Sequence, residues 1–289
     1  MPIFKTGSLS INQNEDSESE VEKTTINLRR FSKRYIKTKN SLIRVFLAEL
    51  LGTFMFVFFG CSSVAQYKLL NRAQNDSASF LLVNAGFGFG ILAAILTVGK
   101  VSGAHLNPAV SFGIFLVGQL TLLKLVIYIV AQFIGAFIAA AIVFVLYYNG
   151  LTTFGDKMYT LETAGIFGTY PRPELSVWGG FFDQFIGTTL FVTGIMSVAD
   201  KIRDPLPNSM SAIMVGFLLF VVGNSIGYNA GFAVNPARDF GPRFFTFIAG
   251  WGSQVFSAGD YYFWIPLVAP MFGSLAATII YLVFISNHF

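Results

Sequence analysis

The sequence predicts an all-α integral membrane protein: six transmembrane helices plus two reentrant half-helices, arranged as an inverted 3+3 repeat. Three observations carry that reading. The chain of 289 residues is 54% hydrophobic and only 12% charged, against about 25% charged for an ordinary soluble domain. Six stretches are apolar over the roughly 20 residues that a helix needs to cross a bilayer. Between them, the tripeptide Asn-Pro-Ala occurs twice, each time opening an apolar segment too short to cross. The 28 glycines agree with this class, since glycine is more frequent in membrane helices than in soluble ones.

Residues 1–40 precede the first apolar run and read as a disordered, cytoplasmic N-terminal tail, acidic in NEDSESEVEK and then basic. Eight Lys/Arg fall between Lys23 and Arg44. Beside a membrane span the positive-inside rule accounts for them, so the arm is not read as a nucleic-acid site. Within it Arg29-Arg30-Phe31-Ser32 has the form of a basic-directed phosphorylation site at Ser32, a motif short enough to arise by chance. The polar start is not read as a cleavable signal peptide. The single cysteine, Cys61, excludes an intramolecular disulfide framework and offers no metal cluster, and no cofactor motif is present.

The spans are expected near Leu42–Gln66, Phe80–Val98, Leu122–Tyr148, Trp178–Val198, Ser209–Ile226 and Phe263–Ile285. The short segments are Leu106–Gly118 and Val234–Ile248, each about half the hydrocarbon thickness at 1.5 Å per residue. Their openings match: VSGAHLNPAVSFG and AGFAVNPARDFG. Glu49-Leu-Leu-Gly52-Thr53 in the first span likewise echoes Gln184-Phe-Ile-Gly187-Thr188 in the fourth. The region 41–289 is therefore a duplication with halves near 41–150 and 175–289. Three spans per half force the second copy to insert upside down. The two short helices then come in from opposite faces and meet at the midplane, because non-helical backbone at that depth must be buried or line a wet cavity.

Orientation follows from the loops. The arm, Lys100, Lys124, Lys201 and Arg203 fall on one side; Lys68, Arg72, Lys157 and Arg172 fall on the other. The first side is cytoplasmic, and with it both termini. The one N-x-S/T sequon, Asn75-Asp76-Ser77, then lies outside as a candidate glycosylation acceptor.

Proline at a first helical turn lacks the amide that would be wasted there, so Asn107-Pro108-Ala109 and Asn235-Pro236-Ala237 read as caps plus helix starts. Two helix N-termini aimed at one point put positive partial charge at the pore centre, which disfavours cations and protons. The asparagine amides are left to donate to a neutral hydroxyl. Before each motif, Gly103-Ala104-His105 and Gly231-Phe232-Ala233 are expected as extended strands presenting backbone carbonyls, those of Gly103, Ala104, His105, Gly231 and Ala233, as acceptors. Such a lumen suits small hydroxylic solutes.

The paired motifs, and the run NPARDFGPRFFTFIAGWGS above all, resemble the aquaporin (major intrinsic protein) family over all six spans. The resemblance implies the aquaporin fold, a homotetramer with one pore per chain, and a plasma-membrane location. Within the family the chain is similar to the aquaglyceroporins, which pass glycerol as well as water; urea and other small neutral solutes are further possibilities. The family's constriction maps to Phe87, Gly223, Phe232 and Arg238. Water-only members typically carry histidine at the Gly223 position, so glycine implies a wider, less polar aperture facing an apolar corner of Phe87 and Phe232. The competing reading of Gly223-Asn-Ser-Ile-Gly227 is helix packing through GxxxG. Asp239 after the pore arginine also fits the glycerol-conducting branch. The resemblance makes Glu49 a buried brace of the first reentrant loop, with Gln184 or its neighbour Asp183 as the counterpart. It makes His105 a lumen-bordering residue that helps hold the first loop, with a pH-sensing role as the less favoured alternative.

Rival functions remain at this point. An enzyme has no nucleophile–base constellation to rest on. A secondary transporter shares inverted repeats and broken helices, but the midplane motif here is amide and not carboxylate. A water-selective channel is the alternative within the family.

Overall fold

A computed structural model describes residues 28, 37–74, 78–200 and 206–288. Ser32, Asn75, Lys201 and Arg203 lie outside the described residues. The compact unit is Leu42–Phe289, and every regular element among its described residues is helical.

Six helical stretches are long and apolar enough to cross a membrane. The first five are α1 (Ser41–Gln74), α2 (Leu81–Ser102), α4 (Leu122–Thr152), α6 (Val177–Ala199) and α7 (Asn208–Ala230). The sixth falls within Gln254–His288; there α9 (Gln254–Tyr261) loses helical geometry at Ala258, Gly259 and Asp260, and α10 (Ile265–Phe284) completes the crossing. The half-helices are α3 (Pro108–Leu116) and α8 (Pro236–Thr246), and α5 (Leu161–Ala164) is a single turn in the long central loop.

Two differences from expectation have physical reasons. The helix α1 continues to Gln74, well past Gln66, through the mixed sequence YKLLNRAQ. Hydropathy marks where lipid ends, whereas helical hydrogen bonds continue into the interface. The half-helices begin at the prolines and not at Leu106 and Val234, because those two residues have φ of +55° and +40° and still belong to the loops.

The duplication is visible in the packing. A Cβ on Gly135 of α4 would lie 2.4 Å from the Leu50 carbonyl oxygen of α1, and one on Gly273 of α10 would lie 2.6 Å from the Phe185 carbonyl oxygen of α6. Leu50 follows Glu49 and Phe185 follows Gln184, so both halves use one contact in one register. The halves meet where α2 crosses α7. There a Cβ on Gly88 would sit 2.9 Å from Gly216 O, and one on Gly216 2.8 Å from Gly88 O. Small residues let helix backbones approach in a solvent that provides no hydrophobic drive for association.

Candidate functional site

The two reentrant loops interlock at their tips. Asn107 Oδ1 accepts from Ala109 N at 2.8 Å and caps α3; Asn235 Oδ1 accepts from Ala237 N and Arg238 N at 3.0 and 3.1 Å and caps α8. Each side-chain amide then crosses over. Asn107 Nδ2 donates to Val234 O at 2.9 Å, and Asn235 Nδ2 donates to Leu106 O at 2.8 Å. The half-helices are thus joined head to head, and one of the two N–H bonds on each amide is used in the join, leaving the other for the lumen.

The segments leading into these tips are not the extended strands the sequence suggested. Gly103, Ala104 and Leu106 have φ of +88°, +54° and +55°, and Gly231, Phe232 and Val234 mirror them at +71°, +38° and +40°. The reason is visible at Glu49. Its Oε1 accepts from His105 N at 3.0 Å and its Oε2 from Leu106 N at 2.8 Å. Consecutive N–H groups alternate sides along an extended strand and could not both reach one carboxylate. Left-handed residues other than glycine cost roughly 1–3 kcal/mol each, and Glu49 offsets that cost. Ser102 Oγ and Gln132 Nε2 complete its shell at 2.6 and 2.8 Å.

The second loop is braced differently. Gln184 Oε1 accepts from Val234 N at 2.9 Å, while Gln184 Nε2 donates to Asp183 Oδ2 at 2.9 Å. Asp183 Oδ1 takes Asn229 Nδ2 at 2.8 Å. Gln184 therefore touches the loop, and Asp183 holds Gln184. His105 Nδ1 lies 3.2 Å from Ser111 Oγ, with its ring 4.8 Å from that of Tyr128.

Phe87, Gly223, Phe232 and Arg238 come together. The Phe87 and Phe232 rings meet edge to face at 5.6 Å, and the Arg238 guanidinium carbon stands 4.4 Å over the Phe87 ring. Arg238 Nη1 donates to Phe167 O at 2.9 Å; Arg238 Nε is buried without an acceptor among the described residues. Beside Gly223 the space is already taken. A Cβ there would meet Asn84 Oδ1 at 2.8 Å and Phe232 Cζ at 2.9 Å. Glycine at 223 therefore admits these two side chains to the wall. The GxxxG partner Gly227 likewise lies against Phe80 and Phe232.

Behind the arginine lies a buried ion pair. Asp239 is 0% and Arg243 1% exposed, with Arg243 Nε to Asp239 Oδ1 at 2.8 Å. Asp239 Oδ2 takes both the backbone N (2.7 Å) and Oγ1 (2.6 Å) of Thr169. Arg243 donates to Thr169 O and to Val255 O, and stacks over the Tyr170 ring at 4.5 Å. Burial pushes the Tyr170 hydroxyl up to about 12, so the ring under Arg243 stays uncharged. The pair thus fixes the Phe167–Tyr170 segment whose carbonyl at Phe167 holds Arg238.

Space follows this line of residues. A vestibule of about 790 Å³ on the Arg238 side is walled by Tyr67, Phe80, Asn84, Arg172, Gly231 and Arg238 among others. A second, of about 470 Å³, carries Gly103, Ala104 and His105 on its wall. Between them lies a throat with a void of about 10 Å³, lined by Phe87, Asn107, Phe232, Ala233, Asn235 and Arg238 among others. That is room for about one water.

Sequence reasoning missed Gln132, Asn84, Phe167 and Thr169. A signal existed for Gln132, a lone amide within the apolar run IVAQFIGAF, since polar groups inside spans are expensive and face the interior. Phe167 and Thr169 act largely through backbone groups in an irregular loop, which no pattern marks.

Six spans, two half-helices joined at their N-termini, and a narrow throat between two vestibules define a membrane channel of the inverted-repeat class. The major intrinsic protein family model matches residues 36–281. Human Aquaporin-9 is 41% identical over 260 residues, covering 89% of this chain and 87% of its own. Mouse Aquaporin-7 is 40% identical over 248 residues, covering 84% and 80%. The X-ray structure of the aquaglyceroporin from Plasmodium falciparum superposes with a TM-score of 0.75 at 33% identity, over 83% of this chain and 95% of that one. The chain belongs to the major intrinsic protein family, a family of channels, and is a multi-pass membrane protein.

Proposed function

We propose that the protein is a passive channel for glycerol and water, open also to other small neutral solutes such as urea, and closed to ions and protons. The observation that carries this reading is the throat wall: two aromatic faces, the Arg238 guanidinium and the two interlocked asparagines around a void with room for about one water. Glycerol has a carbon face for Phe87 and Phe232 and hydroxyls for Arg238 Nε, Asn107 and Asn235. The likeness to an aquaglyceroporin structure supports the same solute. The one formal charge on the described throat wall is the Arg238 cation, and two helix N-termini add to its field, so a cation meets repulsion at both points. Coupling to an ion gradient would call for an acidic group there, and the wall supplies amides.

Both loops that form the throat belong to one chain, so each protomer of a homotetramer would hold its own pore. An even number of spans supports placing both termini on one face. The basic arm supports the cytoplasm for that face, and a plasma-membrane location follows the family resemblance. The Arg238-side vestibule is then extracellular. No catalytic role is proposed. The test is swelling of cells or vesicles in an isosmotic glycerol gradient, wild type against Gly223→His. Wild type swells; the histidine variant, forced against Asn84 and Phe232, loses glycerol flux by on the order of tenfold, about 1.4 kcal/mol of barrier. A wild type without glycerol flux removes the reading.

A further inference from the structure

Asn84 is among the polar side chains near the throat that neither the repeat pattern nor the constriction assignment uses. It stands on α2, one helical turn before Phe87, and is 2% exposed. Its amide has a fixed orientation. Asn224 Nδ2 donates to Phe220 O at 2.8 Å, which leaves Asn224 Oδ1 facing Asn84; Asn84 Nδ2 donates to that oxygen at 3.1 Å. The relay turns Asn84 Oδ1 the other way, toward Gly223, where it is buried and has no donor from the described residues. A buried acceptor without a donor costs about 1–3 kcal/mol, so its retention calls for a reason. Both Asn84 and Gly223 stand on the wall of the Arg238-side vestibule, together with Phe232 and Arg238.

We propose that Asn84 is a specificity-determining residue, its side-chain oxygen accepting a hydrogen bond from a polyol hydroxyl at the mouth of the constriction. The inference rests on the glycerol-channel reading above. A hydroxyl both donates and accepts. Arg238 can only donate, so the hydroxyl hydrogen of an arriving polyol must find an acceptor elsewhere on the wall just where bulk water is lost. Asn84 adds a side-chain acceptor to the backbone carbonyls of the loop, and Gly223 is the residue whose lack of a side chain leaves room for it. Water, with two hydrogens and a smaller body, loses less when one acceptor is removed, because it can reorient to other partners. Glycerol, held by its carbon backbone against Phe87 and Phe232, cannot.

The experiment measures glycerol and water permeability of the full-length channel in the same proteoliposomes, normalised to incorporated protein. Asn84→Leu, close in shape and without the acceptor, lowers the glycerol-to-water ratio about three- to tenfold, the span of one hydrogen bond to an uncharged partner. Asn224→Ala leaves the oxygen in place but frees the amide to turn, and lowers the ratio in the same direction by a smaller factor. This second variant alters an exposed side chain, so it reports even where Asn84→Leu fails to incorporate. A ratio unchanged in the incorporated variants, with wild type conducting glycerol, overturns the role of Asn84 alone. Glycerol and water permeabilities that fall in proportion, leaving the ratio unchanged, also overturn it, since that marks general damage to the pore. Wild-type vesicles impermeable to glycerol overturn the channel reading and this one together.

Discussion

Arg238 and Asp239 are adjacent in sequence and serve opposite surroundings. Arg238 turns to the throat, and Asp239 turns away to Arg243 and Thr169. Both Asp239 and Arg243 are buried, so removing one leaves the other's charge without a partner. Asp239→Ala is therefore expected to cost about 3–5 kcal/mol of stability, read as a lower thermal midpoint of the detergent-solubilised protein. It should also release the Phe167 carbonyl and reduce flux through the channels that still fold. An unchanged midpoint and flux would contradict the buttress. At the first loop, Glu49→Gln replaces one acceptor oxygen by a donor facing donors, and should cost about 3 kcal/mol, since hydrogen bonds to a charged group contribute about 1.5–3 each. The residues that carry this polar framework were unevenly legible. Glu49 stood out as a carboxylate in a span. Gln184 and Asp183 could not be separated, because adjacent residues on a helix point about 100° apart and only the fold shows which one meets Val234. Asn84, like Gln132 a lone amide in an apolar span, signalled a buried polar group, but the span alone does not show its purpose, which depends on the gap at Gly223 on another helix.

The helices owe their placement to a few close approaches. Gly135 against Leu50 and Gly273 against Phe185 are backbone contacts that no side-chain rotation relieves. Gly135→Ala and Gly273→Ala should each destabilise by about 1–3 kcal/mol through overpacking, and by similar amounts, because the two sites are copies of one contact. A loss at one site with none at the other would argue against equivalent halves. Spans, half-helices and their duplication were readable from apolar length and repeated words. The loop geometry was not. Alternating left-handed residues at Ala104, Leu106, Phe232 and Val234 violate local preference, and they persist because Glu49 and Gln184 bind the N–H groups so presented.

Large apolar side chains such as Trp178, Phe182 and Val145 face outward while the interior is also packed mostly with apolar residues, and buried polar groups such as Glu49, Asn107, Gln184, Asn235 and Arg238 line or brace the path. Water filling that path would be interrupted at the tips, where Asn107 and Asn235 bind opposite loop carbonyls and two helix N-termini oppose positive charge. Passive conduction of glycerol along this path is tested most directly by stopped-flow light scattering of proteoliposomes holding the wild-type protein in a glycerol gradient, with and without an imposed proton or sodium gradient. Glycerol flux well above that of empty vesicles, proportional to its gradient and indifferent to the ions, is the predicted result. Flux no greater than through bare lipid, or flux that saturates at low glycerol and follows the ion gradient, would contradict it.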